Sequence, residues 1–218
     1  MTQRAPGRRA LVTGGAGLIG SHLSDLLLRE GYSVRILDNL EPQTHRNGKP
    51  PWIPREAEFL NADVRDPKAL RSALEDVDVV FHQAAYGGYM PEMAKYVEVN
   101  SFGTAQMLEI IRDENLPVGK VIVASSQAVY REGAALCPRH GLVFPETRPA
   151  GQLAAGDFSV RCPEPDCGEP SAPTATPEEA PTGGETVYAI TKSDQERLVL
   201  TWGRQTGIPT VALRYSCT

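Results

Sequence analysis

From Ala10 to Tyr130 short apolar runs alternate with stretches of helical spacing. Ala10–Thr13, Ser33–Leu37, Glu58–Asn61, Val77–His82 and Lys120–Ser125 are brief and rich in Val, Ile and Leu. That composition predicts parallel strands buried on both faces. Leu18–Glu30, Pro67–Glu75 and a longer stretch from Pro91 to about Glu114 read as the intervening helices. In the last, Met93, Val97, Met107, Leu108 and Ile111 keep partial helical spacing, and Gly103 weakens it. Such alternation predicts an α/β fold, a doubly wound parallel sheet with right-handed crossovers. From Arg131 to Glu185 the period is lost, and the segment is dense in proline. A structureless loop of that length inside a compact domain would be unusual, so an insertion at 131–185 is expected, with its own local fold or serving as a lid. Thr186–Gln205 then reads as a helix and Thr210–Tyr215 as a strand.

Composition narrows the picture only modestly. The 218 residues are 41% hydrophobic and 22% charged, enough for one sizeable core. A net charge of −5 argues against a general attraction to nucleic acid. No run approaches the roughly 18 apolar residues of a membrane span. The basic stretch Met1–Arg9 leads straight into a strand without an apolar signal core, so a cytoplasmic location is expected. The cysteines, at 137, 162, 167 and 217, all fall in the second half. That clustering suits a metal knuckle or free thiols better than a disulfide framework.

The strongest local signal is the glycine loop Thr13-Gly-Gly-Ala-Gly-Leu-Ile-Gly20, which follows a strand and opens a helix. In a dinucleotide fingerprint Gly14 permits the tight turn, Gly17 lets a pyrophosphate approach the backbone and Gly20 lets helix and strand pack closely. Leu18, Ile19 and Gly20 open the helix, whose free N–H groups and positive dipole end favour an anion. Asp38 ends the second strand, where a carboxylate accepts hydrogen bonds from ribose hydroxyls and repels a 2′-phosphate. NAD is therefore expected rather than NADP, and Arg35, inside the strand, is poorly placed to reverse that choice.

A second cluster carries reactive groups. Tyr188 and Lys192 lie four residues apart in a helical pattern and so share a face. A phenol titrates near 10 in water, and a nearby ammonium would lower that value towards a working base. Ser125 and Ser126 close the fifth strand, at the carboxyl edge where doubly wound sheets bind ligands. Turn-capping is the commoner role for serines so placed.

Taken in order, the motifs resemble the extended short-chain dehydrogenase/reductase family, in particular its NAD-dependent epimerase/dehydratase branch. The residues carrying the resemblance are the glycine loop, Asp38-Asn39-Leu40, Asp63-Val64, His82-Gln-Ala-Ala85, Asn100-Ser-Phe-Gly-Thr104, Ser125-Ser126 with Val129-Tyr130, Tyr188 to Lys192, and Leu213-Arg-Tyr215. The resemblance implies a Rossmann-type sheet of order 3-2-1-4-5-6. It makes Tyr188 the general base, Lys192 the group that lowers its pKa and holds the nicotinamide ribose, and Ser126 the serine that shares the substrate proton. It sets Gly14, Gly17, Leu18, Ile19, Gly20, Asp38, Asn39, Asp63, Val64, Ala84, Ala85, Asn100, Tyr188, Lys192 and Tyr215 around the cofactor. It further implies a nucleotide-sugar substrate and a homodimer through the helices at 91–114 and 186–205.

Within such a family the residues after the serine steer the reaction. Gln127 and Ala128 supply neither acid nor base, which by subtraction leaves an epimerase or a simple dehydrogenase/reductase. The chain departs from the pattern at Arg131, where the family usually has glycine, and in the length of the segment between Ser126 and Tyr188. Cys137, His140, Cys162 and Cys167 within it could form a tetrahedral zinc site or stand unligated on a polar loop. The family also continues past the strand at Thr210–Tyr215 into a smaller substrate-gripping domain, so an N-terminal fragment is expected. Three functions stay open: a nucleotide-sugar epimerase, an NAD-binding module without turnover of its own, and a reductase of a small carbonyl compound.

Overall fold

The apolar runs become one parallel sheet in the computed structural model, which describes residues 7–216. Cys217 and most of the basic Met1–Arg9 stretch lie outside the described residues. The strands are β1 (Arg9–Thr13), β2 (Ser33–Asp38), β3 (Glu58–Asn61), β4 (Val79–His82), β5 (Lys120–Ser126) and, late in the chain, the sixth core strand at Thr210–Tyr215. Their order is 3-2-1-4-5 followed by that last strand, the Rossmann order the motifs imply. Every pairing in it is parallel. The strand order reverses between β1 and β4, so the carboxyl ends there open a crevice, the usual ligand position in such sheets.

Why these segments take these shapes is visible locally. Helix α1 (Leu18–Arg29) starts at Gly17 and turns Leu27 onto β1 and β2, where Ala10, Val12, Val34 and Ile36 form the buried layer. Helix α2 (Pro67–Leu74) is capped by Asp66, whose carboxylate accepts the Lys68 and Ala69 N–H groups, with Pro67 in the first turn. At its other end the Arg35 guanidinium, reaching out of β2, donates to the Ala73 and Glu75 carbonyls at 2.9 and 2.8 Å. Arg35 is thus a cap for α2, where cations favour a helix C-terminus.

The stretch expected as one helix from Pro91 to about Glu114 is helix α3 (Met93–Tyr96), a π-helical segment Val97–Phe102 and helix α4 (Gly103–Asp113). Gly103 does more than weaken that helix. A Cβ there would lie 2.9 Å from Val64 Cγ2, so glycine lets the helix sit close on Val64, in the turn after β3.

Chain contacts divide the protein into two units, Met1–Ser126 with Thr191–Thr218, and Gln127–Ile190. The second is built on a three-stranded antiparallel sheet of β6 (Ala134–Cys137), β7 (Gly141–Val143) and β8 (Ala172–Thr174), with β6 in the middle. A short helix α5 (Ala150–Ala154) belongs to it. Helix α6 (Val187–Thr206) follows, and Thr186 caps it by accepting the Ala189 N–H at 3.0 Å. The final strand is β9 (Thr210–Tyr215). No helix among the described residues is long and apolar enough to cross a membrane.

Candidate functional site

The three glycines of the fingerprint differ in what they do for the protein itself. Gly14 has φ +67°, and a Cβ on it would meet the Ala84 backbone nitrogen at 2.7 Å. A Cβ on Gly20 would lie 2.3 Å from the Gly14 carbonyl oxygen. Gly15, outside the frame Gly14, Gly17, Gly20, is also constrained, because its Cβ would lie 2.6 Å from Ile36 Cγ2. Gly17 is unlike the others. Its φ of −71° suits any residue, and the nearest atom to an added Cβ is 3.4 Å away. The protein's own packing does not require glycine there. No side chain caps α1 at this point, which leaves its first N–H groups without a side-chain partner, as an anion site needs.

Gly14 and Gly17 line a cleft together with Asp38, Asn39, Asp63, Val64, Ala84 and Ala85. Asp38, at the end of β2, accepts the Ala16 N–H at 3.0 Å and the Leu40 N–H at 2.8 Å. His45 Nε2 stands 3.8 Å from its other face, a neighbour that sequence reading missed because it comes from the loop after β2. Asp63 accepts from Asn39 at 2.8 Å and from Arg65 at 2.9 and 3.0 Å. Burial works to raise the Asp63 pKa, but the Arg65 and Asn39 hydrogen bonds outweigh it and hold the carboxyl below its usual range. Gln83, also lining the cleft, stands in the His82-Gln-Ala-Ala85 run but had no role assigned from the sequence. Its amide nitrogen and oxygen are buried and neither has a hydrogen-bond partner among the described residues. Such a group costs free energy unless something supplies partners. A cleft with a Cβ-free floor, an uncapped helix N-terminus and an unpaired amide fits a polar dinucleotide.

Behind the cleft lies a buried polar chain. Lys192 is 2% exposed, and its ammonium donates to Gln195 Oε1 at 2.7 Å. Gln195 Nε2 contacts His82 Nε2 at 3.1 Å and Thr104 Oγ1 at 3.0 Å. His82 Nδ1 pairs with Thr13 Oγ1 at 2.7 Å, which ties the chain to the end of β1. Burial pushes the Lys192 ammonium down to about 7. Burial, then the Lys192 charge, pushes the His82 imidazole down to about 3, so it is neutral at pH 7. Asn100 sits in the π-helical segment. Its side chain accepts the Tyr86 N–H and donates to the Tyr86 carbonyl and to Thr191 Oγ1, so all its bonds hold protein groups in place. Asn100, expected among the residues around the cofactor, here braces the Tyr86 backbone beside the cleft.

Ser126 ends β5 in register with Tyr215. Its neighbour Ser125 is structural, donating to Glu196 Oε2 at 2.7 Å. Glu196 also takes a forked contact from Arg214 at 3.0 and 2.6 Å. Tyr188 lies in the first turn of α6, four residues before Lys192 on the same helix. Tyr215 does not line the Asp38 cleft. It borders a shallow apolar recess with the side chains of Leu18, Ile19, His22, Leu23 and Leu26. Any part Leu18 and Ile19 take in anion binding therefore falls to their backbone. In the second unit Cys137, His140, Cys162 and Cys167 bring their ligand atoms within 4.8 Å of one another.

Against this geometry the similarities to known proteins fall into one group. Residues 10–149 match the family model described as the NAD dependent epimerase/dehydratase family. The dTDP-L-rhamnose 4-epimerase of Burkholderia thailandensis is 32% identical over 95% of this chain, which covers 57% of that protein. UDP-glucuronic acid decarboxylase 1 of Danio rerio is 31% identical over 73% of the chain, which covers 37% of it. Among solved structures, a UDP-glucose 4-epimerase of Thermus thermophilus in complex with NAD superposes with a TM-score of 0.66 at 28% identity, over 95% of this chain and 54% of that one. The chain thus spans about half the length of the relatives it matches. Its sheet order and its matched residues agree, and the chain belongs to the NAD-dependent epimerase/dehydratase family of enzymes.

Proposed function

We propose that the chain is the cofactor-binding part of an NAD-dependent nucleotide-sugar epimerase. The observation that carries this reading is the burial of the Lys192 ammonium one helical turn after Tyr188. A lysine this deeply buried is rare and costly. A phenol that must lose a proton near neutral pH gives it a purpose, because an adjacent cation favours the phenolate.

In this reading Gly14, Gly17 and the first N–H groups of α1, from Leu18 to Gly20, hold the pyrophosphate. Asp38 and Asn39 take the adenosine ribose, and Asp63 and Val64 border the adenine. Ala84 and Ala85 line the nicotinamide side, with the Gln83 amide supplying the polar contacts it lacks within the protein. NAD, when bound, supplies hydride chemistry at a sugar carbon and returns the hydride to it. The chain's own part is proton handling and orientation. Tyr188 removes the hydroxyl proton from that carbon and later gives it back, Lys192 keeps the phenol acidic, and Ser126 fixes the hydroxyl. Gln127 and Ala128 bring no further acid or base, which supports inversion rather than elimination or loss of a carboxylate.

The length of the chain relative to its relatives favours a second reading for the chain by itself, an NAD-binding module without turnover of its own. Exposed Met93, Val97 and Phe102 on the segment after β4 support a homodimer through that face. Calorimetric titration of NAD and NADP, followed by turnover of UDP- and dTDP-hexoses with and without Tyr188→Phe, tests these readings. Selective NAD binding with turnover that Tyr188→Phe abolishes is expected for the epimerase. Binding without turnover marks the module, and no binding of either dinucleotide removes both.

A further inference from the structure

We infer that the unit Gln127–Ile190 carries a structural zinc ion held by Cys137, His140, Cys162 and Cys167. The four ligands come from two turns. Cys137 ends β6 and is paired in register with Gly141 of β7, so Pro138, Arg139 and His140 form the tip of a hairpin. Cys162 and Cys167 flank a second tip, closed by the isolated bridge between Arg161 and Pro170 and by the Cys162 N–H donating to the Glu169 carbonyl at 2.9 Å. The two tips meet at their sulfur and nitrogen atoms.

Three of the six ligand-to-ligand distances are those of a tetrahedron's edges, and all six lie within 4.8 Å. With Zn–S bonds near 2.3 Å and Zn–N bonds near 2.0–2.1 Å, tetrahedral angles give S···S of about 3.8 Å and S···N of about 3.6 Å. Cys137 Sγ lies 3.8 Å from Cys167 Sγ, while His140 Nδ1 lies 3.8 Å from Cys137 Sγ and 3.4 Å from Cys162 Sγ. A disulfide would need about 2.0 Å, so the 3.8 Å separation of Cys137 and Cys167 is not one. The Arg139 N–H donates to Cys137 Sγ at 3.4 Å, a contact that steadies a thiolate ligand.

Packing supplies an independent reason. The buried apolar cluster of this unit is Ala135, Cys137, Val143 and Cys162, with only Val160 and Cys167 packed against it. Its strands are three or four residues long. Sheets this short with a core this small need a staple, and half of the cluster is made of the ligands themselves. Four protein ligands fill a tetrahedral zinc, leaving no open position for substrate. The ion therefore folds the segment and takes no part in the chemistry. That segment joins Ser126 to Tyr188, so metal loss disorders the connection between two residues of the reaction while the glycine loop and Asp38 keep their surroundings.

Elemental analysis of the full chain, purified without added chelator, is expected to find about one zinc per chain. Replacement by Co(II) should give the visible and near-ultraviolet bands of a tetrahedral thiolate site. Cys137→Ser and Cys162→Ser should each lose most of the zinc and those bands while NAD affinity changes less than about threefold, because the nucleotide cleft lies in the other unit. Should these variants fail to fold, thiol titration of the unmutated chain with a mercurial is decisive, with zinc release expected to run in step with thiol modification. Absence of stoichiometric zinc together with no thiolate–cobalt band would overturn the proposal, as would zinc retained undiminished after the thiols are blocked. The nucleotide reading is scored separately, by NAD titration, and stands or falls without the metal.

Discussion

Lys192 donates to Gln195 Oε1 at 2.7 Å, and both residues are buried on α6, three positions apart. Through this bond the ammonium is fixed to His82 and Thr104, and so to the carboxyl ends of β1 and β4. Gln195 acts as a positioning residue: it touches Lys192 and the strut residues and lies behind the cleft. Gln195→Leu leaves a buried ammonium and two polar neighbours short of partners and should cost about 1–3 kcal/mol, read from denaturant unfolding. Gln195→Glu keeps the acceptor and adds a charge that raises the Lys192 pKa. An unfolding midpoint unchanged in Gln195→Leu would show that the bond carries no net weight.

The titration of Lys192 itself gives a pH signature. Its pKa is about 7 in the folded chain and about 10.4 in an unfolded one. Between those values the unfolded chain binds more protons, so stability rises with pH across that window, and below pH 7 the full cost of burying the charge is present. The slope is at most about 1.4 kcal/mol per pH unit. His82, lowered from 6.5 to about 3, adds a rise of the same sign between those two values. Subtracting the curve of Lys192→Met from that of the unaltered chain should leave a smaller slope below pH 6.5, from the His82 titration that the Lys192 charge shifts, and its main slope above pH 7. A flat difference there would mean that Lys192 is charged by other means in the fold.

The glycines offer a test that separates folding from binding. Gly20→Ala drives a Cβ to 2.3 Å from the Gly14 oxygen and should destabilise the chain by about 1–3 kcal/mol, as overpacking does. Gly17→Ala meets nothing closer than 3.4 Å and should leave the unfolding midpoint nearly unchanged. Its methyl instead enters the cleft, so NAD affinity should fall on the order of tenfold, about 1.4 kcal/mol. Equal NAD affinity in Gly17→Ala would show that no ligand approaches this backbone.

How much of this could be read beforehand follows from where each feature's information resides. The central strands β1, β2, β4 and β5 were plain because parallel strands buried on both faces are written as continuous apolar runs, as in Val79–His82 and Lys120–Ser126. The crevice residues Gly14 and Asp38 were plain for a related reason, since each sits at a fixed offset from a strand end, whereas Asp63 came only with the family resemblance. The unit Gln127–Ile190 was not, because its cohesion resides in two cysteine turns rather than in any period. Arg35, charged in the middle of an apolar strand, looks like a misfit until α2 is seen to end against it. Gln195 left no trace, and Gln83 appeared only as a member of the His82-Gln-Ala-Ala85 run, without a role. Partners far apart in sequence make one matter, and a missing partner makes the other matter.

On the proposed reading, Asp38 decides which dinucleotide the cleft prefers. Its carboxylate already accepts the Ala16 and Leu40 N–H groups, which fixes its orientation towards the lining shared with Asn39 and Asp63. A ribose hydroxyl can add a further hydrogen bond, whereas a 2′-phosphate brings like charge against it. Asp38→Asn keeps the shape and one acceptor but removes the charge, so NAD should weaken on the order of tenfold, about 1.4 kcal/mol. NADP should lose its electrostatic penalty and bind more tightly than to the unaltered chain, with His45, 3.8 Å from the carboxylate, then free of its acidic neighbour. Calorimetry with both dinucleotides at one ionic strength reads the ratio directly, since screening would otherwise blur the comparison. A ratio that does not move would place the adenosine ribose elsewhere and leave Asp38 as a brace for the glycine loop alone.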